Sequence, residues 1–276
     1  MNPHAYQSVS LTAMLQRLWR YRNLTRQMIQ RDVIGRYKGS VLGLAWSFFN
    51  PIIMLGVYTF VFTVVFEARW GLTPEGGQAH FALQLFAGLI VHGLFAEVLN
   101  RAPGLIMANQ NYVKKVVFPL EILPLIPLGS ALFHAMVSLV VLVLAQIAFD
   151  HTMAPTLVLA PLVALPLCLL ALGLGWILAS LGVFLRDIGQ TMSLVTTMLL
   201  FLSPVFYPLS ALPETFRPFI LANPLTFIIE QMRRVVIAGQ MPDWSGLALY
   251  GIAALIIAWA GFVWFQKTRK GFADVL

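Results

Sequence analysis

The sequence predicts an all-α membrane protein with six transmembrane helices, and three observations lead to this prediction. Of the 276 residues, 59% are hydrophobic and only 11% are charged, whereas water-soluble domains carry roughly 25% charged residues. The apolar residues form runs long enough to cross the hydrocarbon of a bilayer, which takes about 20 helical residues. The charged residues collect between these runs, so the chain alternates between two environments.

The first apolar run follows a basic segment. Residues 31–38 carry four charges, and 28 uncharged residues then precede Glu67. We expect a span over 41–66, bent at Pro51 because proline lacks the N–H that a helix uses for its hydrogen bonds.

The residues before this span predict an amphipathic interface helix on the membrane surface. Between residues 11 and 18 the apolar side chains recur with the helical period, and arginines point the other way. We expect this helix over 10–22 and a break near Asn23, which can cap a second helix. A calmodulin-binding or nucleic-acid-binding helix is a weaker interpretation, because a membrane span follows at once, and we expect no nucleic-acid partner.

Five further apolar runs predict the other spans, over 81–98, 121–149, 160–185, 189–207 and 244–265. The segment 101–117 between the second and third is polar and basic, which is typical of a cytoplasmic loop. If the N-terminus is cytoplasmic, fourteen of the eighteen lysines and arginines fall on the cytoplasmic side. Both termini are then inside, which requires an even number of spans.

The region 209–239 contains several prolines and is expected to form short re-entrant or interfacial helices rather than a span. Asn223 followed by Pro224 predicts a helix start, and Gly239 predicts its end. In that helix, an apolar stripe is expected to lie opposite a polar face. The stripe is Leu225, Ile229, Met232 and Val236, and the polar face is Glu230, Arg233 and Arg234.

Two sets of small residues predict faces at which helices pack closely. Each set recurs every four residues, which places it on one side of a helix and removes the side chains that hold a neighbour away. The sets are Gly35, Gly39 and Gly43 at the start of the first span, and Ala171, Gly175 and Ala179 in the fourth.

The ionisable residues indicate no catalytic or metal site. Glu97 and Arg101 are four residues apart, which predicts an ion pair on one helix face. His92 and His134 are single and are expected to satisfy core hydrogen bonds. Cys168 is the only cysteine, which excludes a metal site built from thiolates. No Gly-Lys-Ser/Thr phosphate-binding sequence occurs, so any ATP hydrolysis must come from another chain.

Five elements occur in an order that resembles the membrane subunit of type-2 ABC exporters, and most of all the permeases for O-antigen, capsule or teichoic-acid polymers. They are the stretch Arg31–Phe66, KKVVFPLEILPL (Lys114–Leu125), Arg186-Asp187, SPVFYP (Ser203–Pro208) and LANPLT (Leu221–Thr226). The resemblance extends over nearly the whole chain.

This resemblance implies a homodimeric permease in the bacterial inner membrane, served by two copies of a cytoplasmic ATP-binding subunit that holds ATP and Mg²⁺. The substrate would be a polysaccharide, linked to undecaprenyl, that passes between the two copies. The residues implied to contact the ATP-binding subunit are Asn109, Asn111, Tyr112, Lys114 and Lys115. Those implied to form a periplasmic gate are Pro204, Asn223 and Pro224.

Aromatic side chains are candidates for the substrate path, since their faces stack on sugar rings through weak, repeated contacts that permit sliding. These candidates are Trp46, Phe48, Phe49, Tyr58, Phe201, Phe206 and Tyr207. Arg31, Arg36 and Lys38 are candidates for receiving a lipid-linked pyrophosphate through charge-assisted hydrogen bonds. The same residues also fit a simpler role as cationic anchors that hold the start of the span at the cytoplasmic side of the membrane.

Three alternatives are kept. One is an ABC-2 exporter of another lipid or of a small hydrophobic substrate. A proton-coupled carrier would place carboxylates or histidines in the middle of its spans. A membrane-embedded transferase would need a nucleophile with its base, and Asp150-His151, Ser130 and His134 do not form such a set.

Overall fold

The computed structural model describes residues 9–65, 78–114, 118–150 and 153–276, and within these ranges the chain is helical without a β-strand. The predicted all-α fold is therefore confirmed. The α-helices are α1 Leu11–Arg20, α2 Arg22–Tyr37, α3 Trp46–Thr59, α4 Gln78–Arg101, α5 Leu105–Ala108, α6 Gln110–Lys114, α7 Leu125–Asp150, α8 Ala160–Phe184, α9 Ile188–Leu202, α10 Arg217–Leu221, α11 Pro224–Val236, α12 Trp244–Thr268 and α13 Phe272–Val275.

Four helical segments in the described ranges are long and apolar enough to cross a membrane. They are His80–Ala108, Leu120–Phe149, Pro155–Phe184 and Trp244–Val275, and they coincide with the predicted second, third, fourth and sixth spans. The predicted first and fifth spans contain shorter apolar helices, Gly43–Thr59 and Ile188–Leu202. The fifth ends five residues earlier than predicted, because Pro204 cannot continue a helix.

The first apolar run is not one regular helix. After α2 ends, Gly39 (φ +87°) and Gly43 (φ +52°) take the left-handed conformation that only glycine adopts readily. The chain then passes through a 3₁₀ turn over Gly43–Ala45 into α3, which contains Pro51, and continues as a π-helix over Phe60–Val65. Phe66, the predicted end of this span, lies outside the described residues.

The predicted small-residue face on Gly35, Gly39 and Gly43 is wrong. Two of the three glycines interrupt the helix, so the set does not lie on one helical face. The space that a Cβ would take at each of them is also open within the described chain. Gly39 and Gly43 turn the chain instead of drawing a second helix close.

The closest helix pair is α8 against α12. The predicted residues Ala171, Gly175 and Ala179 are indeed buried in α8. The nearest approach, however, is at Gly173, where an added Cβ would lie 2.7 Å from the Cα of Ala258. A Cβ on Gly261 would lie 2.2 Å from the carbonyl oxygen of Gly173, so the two backbones are in direct contact.

The N-terminal helix breaks two residues before the predicted position. Ser10 caps α1, its hydroxyl accepting a hydrogen bond from the N–H of Ala13, and the break between α1 and α2 lies at Tyr21 rather than at Asn23. The guanidinium of Arg22 then lies over the ring of Trp19, 4.7 Å from the ring centroid. This cation–π contact at the corner favours the earlier break.

The predicted start of α11 is confirmed. The side chain of Asn223 accepts a hydrogen bond from the N–H of Leu225, and Pro224 occupies the first turn. The helix ends at Val236, and Gly239 follows with φ +66°. It lies against α4 and α8 rather than projecting away from the bundle.

Candidate functional site

Charged residues from several helices meet at one end of the helix bundle, which we call the charged end. It is defined by Asp32 on α2, Glu97 and Arg101 on α4, Glu121 before α7 and Arg269 after α12. The end of α4 and the start of α7 come together here because these two helices pack antiparallel.

Two carboxylates and two arginines form a continuous network at the charged end. Arg101 donates to Glu97 Oε1 at 3.3 Å, as predicted from their spacing, and to Asp32 Oδ1 at 2.7 Å. Arg36 donates to the same Glu97 oxygen at 2.5 Å. Sequence reasoning missed Asp32 and Arg36 as partners, because residues on different helices leave no spacing signal.

His134 closes this network from α7. Its Nδ1 lies 3.0 Å from Glu97 Oε2, and its Nε2 lies 3.2 Å from the hydroxyl of Tyr37. We assign the proton to Nδ1, which donates to the carboxylate, while the Tyr37 hydroxyl donates to Nε2. His134 therefore satisfies hydrogen bonds, as predicted, and so does His92, whose Nε2 lies 2.9 Å from the carbonyl oxygen of Thr196.

Asp32 is held in its charged form by the network. Burial alone would raise the pKa of Asp32, but hydrogen bonds from Arg101 and Ser130 and the charge of Arg101 hold it below its ordinary value. Since the pKa is lower in the folded state, these contacts stabilise the fold above the ordinary pKa of aspartate. That stabilisation is lost as the pH falls through the folded-state pKa.

Glu97→Gln is expected to destabilise the fold by about 1–2 kcal/mol, because two arginines lose a half-buried charged partner. Thermal unfolding of the purified protein in detergent measures this loss. Glu214→Gln is the matched control, since Glu214 is exposed and its substitution should have no measurable effect. Equal melting temperatures for both variants would show that the network does not contribute to the stability of the fold.

A second cluster surrounds Glu121, which is only 3% exposed. Arg17 on α1 donates to one carboxylate oxygen at 3.3 Å, and Arg269 donates to the other at 3.1 Å. The carbonyl oxygen of Glu121 also accepts the indole N–H of Trp176 on α8 at 2.9 Å. One buried residue therefore joins the interface helix, the start of α7 and the end of α12.

A cleft of about 420 Å³ lies between α3, α4 and α7. The pair of Arg36 and Glu97 stands at its mouth, and the cleft reaches along α3 to Tyr58. Arg36 is the predicted substrate-receiving residue that lines it. Arg31 instead donates to the hydroxyl of Tyr112 at 3.5 Å, and Lys38 is exposed after the end of α2.

The aromatic candidates for a substrate path fall into three places. Tyr58 lines the cleft. Trp46 and Phe49 are exposed on α3 with their ring centroids 6.3 Å apart, and Phe48 is exposed beside them. Three residues meet at the end of α9. Phe201 stacks on Phe206 at 5.5 Å between centroids, and the hydroxyl of Tyr207 donates to the Phe201 carbonyl.

The candidates for contact with an ATP-binding subunit lie on two short helices at the charged end. Asn109 separates α5 from α6, and its side chain donates to the carbonyl of Leu105 at 2.8 Å. Asn111 is exposed, and Tyr112 stacks on Phe118 at 4.3 Å between ring centroids. Lys114 ends α6, but its side chain and Lys115 lie outside the described residues.

The three gate candidates meet at the opposite end of the bundle. The side-chain amide of Asn223 donates to the Leu202 carbonyl at 3.1 Å and to the Ser203 hydroxyl at 2.9 Å. The carbonyl of Pro204 accepts a hydrogen bond from Arg233, and that of Pro224 accepts one from the hydroxyl of Tyr250. The end of α9 is thus joined to the start of α11.

Arg233 is the functional candidate that sequence reasoning placed wrongly. We expected it on a polar face with Glu230 and Arg234, but it is 3% exposed. Its guanidinium donates to the carbonyls of Gln84 (2.9 Å), Pro204 (2.6 Å) and Val205 (3.0 Å) and to the Glu230 carboxylate (2.9 Å). Arg233 is four residues after Ile229, which belongs to the apolar stripe. This spacing places both residues on the same face of the helix, and it could have indicated that Arg233 is buried.

Within the described ranges, no three His, Cys, Asp or Glu side chains converge as metal ligands do. The helix bundle has a charged end, a cleft that opens to the surface and a hydrogen-bonded corner, connected by apolar helices. The family model of the ABC-2 type transporters matches residues 23–237, well over half of the chain.

The chain belongs to the ABC-2 type transporter family.

This ABC-2 type transporter is similar over nearly its whole length to curated proteins. It is 28% identical over 263 residues to the O-antigen export system permease protein RfbA of Myxococcus xanthus, covering 95% of this chain and 98% of the relative. A protein of the same name from Klebsiella pneumoniae is 26% identical, covering 89% and 92%. The polysialic acid transport protein KpsM of Escherichia coli is 23% identical, covering 87% and 91%. The resemblance inferred from short sequence elements is confirmed at the level of the family.

Proposed function

We propose that this ABC-2 type transporter is the membrane permease of an exporter that moves a polysaccharide across the bacterial inner membrane. One observation carries the proposal. Relatives that match end to end are named for O-antigen export and polysialic acid transport. The apolar helices suit a multi-pass permease, and ATP hydrolysis is supplied by a separate chain that also holds Mg²⁺.

In the arrangement that we propose, two copies of the permease bind two ATP-binding subunits, and the polymer passes between the copies. The charged end and both termini face the cytoplasm, and α3 and α9 complete six spans. The gathering of Arg17, Arg36, Arg101 and Arg269 at one end supports this orientation, since cationic residues favour the cytoplasmic side.

The region 101–117 is proposed to dock on the ATP-binding subunit and to transmit its movement. Tyr112 on α6 contacts Arg31 on α2, and the neighbouring residue Asp32 is ion-paired with Arg101. A displacement of α6 is thereby passed to α2, whose end leads into α3. The path from the docking region to the cleft is short and consists of polar contacts.

At the other end, the corner formed by Pro204, Asn223 and Pro224 is proposed as the periplasmic gate. Its hydrogen bonds hold the end of α9 against α11, so opening this exit requires their rearrangement. At the cytoplasmic end, Arg31, Arg36 and Lys38 are proposed to receive the pyrophosphate of an undecaprenyl-linked substrate. The exposed rings of Trp46, Phe49 and Phe201, together with Phe206, Tyr207 and Tyr58, are proposed to contact the sugars.

Deletion of the gene, with complementation, tests the proposed function. The mutant should accumulate polymer inside the cell and lose it from the surface, as seen with an antibody or by gel analysis of surface polysaccharide. In vesicles loaded with polymer, export should stop when ATP is removed and continue when the proton gradient is collapsed. Export that stops with the proton gradient while ATP is maintained would overturn the proposal in favour of a carrier.

The double charge reversal K114E/K115E is expected to reduce export by about tenfold, because like charges at a docking contact cost several kcal/mol. Surface polysaccharide and ATPase stimulation by the reconstituted permease are the measurements. K267E/K270E is the control, since both lysines are exposed near the same end and the change in charge is the same. Full export by K114E/K115E, or equal losses in both variants, would contradict docking at this loop.

A further inference from the structure

The cleft between α3, α4 and α7 lies within one copy of the chain, whereas the exposed rings of Trp46 and Phe49 face away from the bundle. It extends along α3 from Ser47 to Tyr58. At about 1.5 Å of rise per residue this is roughly 16 Å, about half the thickness of the bilayer hydrocarbon. With the charged end at the cytoplasmic surface, as proposed, the cleft is long enough to reach about the middle of the membrane.

Small residues on two of its helices leave space for the cleft. Gly93 on α4 and Ala131 and Ala135 on α7 leave space where longer side chains would fill it. Pro51 on α3 has no N–H, so the carbonyl of Ser47 loses its usual helical partner.

The wall of the cleft is mostly apolar, and polar side chains stand at several depths along it. Glu97 and His134 stand at the mouth, Asn50 and Ser138 lie further along, and Tyr58 is at the far end. Within the described residues, the amide of Asn50 and the hydroxyl of Ser138 form no hydrogen bond. A hydrocarbon chain in the cleft would leave both groups without partners at membrane depth, which is unfavourable.

The chemistry of the wall favours a hydroxylated ring compound. A small number of amide, hydroxyl and carboxylate groups stand among apolar residues such as Phe86 and Leu89, and sugars likewise present both hydroxyl edges and apolar faces. The volume of 420 Å³ lies within the range of about 300–1,000 Å³ for small-molecule sites. The ion pairs of Arg36 and Arg101 with Glu97 hold the mouth in place.

We propose that this cleft is a saccharide-binding subsite within each copy of the permease, occupied by sugar units of the polymer before they enter the path between copies. The inference rests on the proposed function, because it takes the substrate to be a polysaccharide. Asn50 and Ser138 bind sugar hydroxyls, and Tyr58 packs against a ring face.

Thiol protection in the full-length protein tests the subsite. The native Cys168 is replaced by alanine, and a single cysteine is introduced by Met54→Cys in the cleft wall or by Ile53→Cys as control. Met54 and Ile53 are adjacent and each is 51% exposed, but Ile53 does not line the cleft. Each protein is placed in lipid nanodiscs and labelled with a maleimide. The probe is oligosaccharide released by mild acid from the surface polysaccharide of the host.

Labelling of the Met54→Cys protein should slow about threefold at an oligosaccharide concentration near twice the dissociation constant, since protection follows occupancy. The Ile53→Cys protein should show no change, and adding Asn50→Ala to the Met54→Cys protein should abolish the protection. Absence of protection would overturn the subsite. So would protection by undecaprenyl phosphate in the nanodisc without protection by the oligosaccharide, because the occupant would then be a lipid chain.

Export in cells separates this inference from the proposed function. If the wild-type chain exports polymer and Asn50→Ala changes neither protection nor export, the subsite is wrong and the function stands. If the wild-type chain exports no polymer but the oligosaccharide still protects Met54→Cys, the proposed function is wrong while the cleft remains a sugar site.

Discussion

Replacing Arg233 with methionine is expected to destabilise the folded protein by about 3–5 kcal/mol, because each buried carbonyl left without a donor costs about 1–3 kcal/mol. Methionine fills a similar volume but leaves the carbonyls of Pro204 and Val205 and the carboxylate of Glu230 without their donor. The end of α9 would lose these contacts with α11 and would keep only the hydrogen bonds of Asn223 among those described at this corner. We expect loss of export together with the loss of stability, because the proposed gate is built on this corner.

Thermal unfolding of the purified protein in detergent measures the first effect, and surface polysaccharide in complemented cells measures the second. Arg234→Met is a closely matched control, since it removes the same charge from the next residue of the same helix. Arg234 is exposed, so its replacement should change stability by less than about 0.5 kcal/mol. Equal effects of the two substitutions would show that the buried guanidinium does not hold the corner.

Gly261→Ala is expected to destabilise the protein by about 3 kcal/mol, at the upper end of the usual cost of overpacking. The new Cβ would lie 2.2 Å from the carbonyl oxygen of Gly173. That atom belongs to the backbone of α8 and cannot rotate away as a side chain does. The two helices must therefore move apart along the best-packed contact of the bundle.

Gly251→Ala on the same helix should instead stabilise the protein. Its Cβ would lie 3.9 Å from the side chain of Pro166, an ordinary contact, and alanine favours helix over glycine by roughly 1 kcal/mol. Melting temperatures that fall for Gly261→Ala and rise for Gly251→Ala would confirm the close approach of α8 and α12. A rise in both would contradict it.

The helix borders show how far local patterns predict this fold. The fourth span was expected over 160–185 and α8 is Ala160–Phe184, because an uninterrupted apolar run between polar turns leaves little choice. The first span was harder to predict. Gly39 and Gly43 suit a packing face and a sharp turn equally well, and only their backbone conformation distinguishes the two.

The candidate site shows the same division. The pairing of Glu97 with Arg101 follows from a spacing of four on one helix and was predicted. The additional pairing of Arg36 with Glu97 and of Asp32 with Arg101 joins α2 to α4, across many residues of sequence. Arg233 was assigned to a polar face because it is charged, and burial became possible only because carbonyls of α4 and of the chain after α9 surround it.

By itself, the sequence determined that the chain is helical, that it belongs in a membrane and which segments are apolar, because these properties depend on composition and on spacing along one helix. Tertiary structure alone decided which charges pair, where the backbones of α8 and α12 touch, and that a cleft opens between α3, α4 and α7. These features depend on the distance between residues far apart in the chain, and that distance is set only when the helices pack.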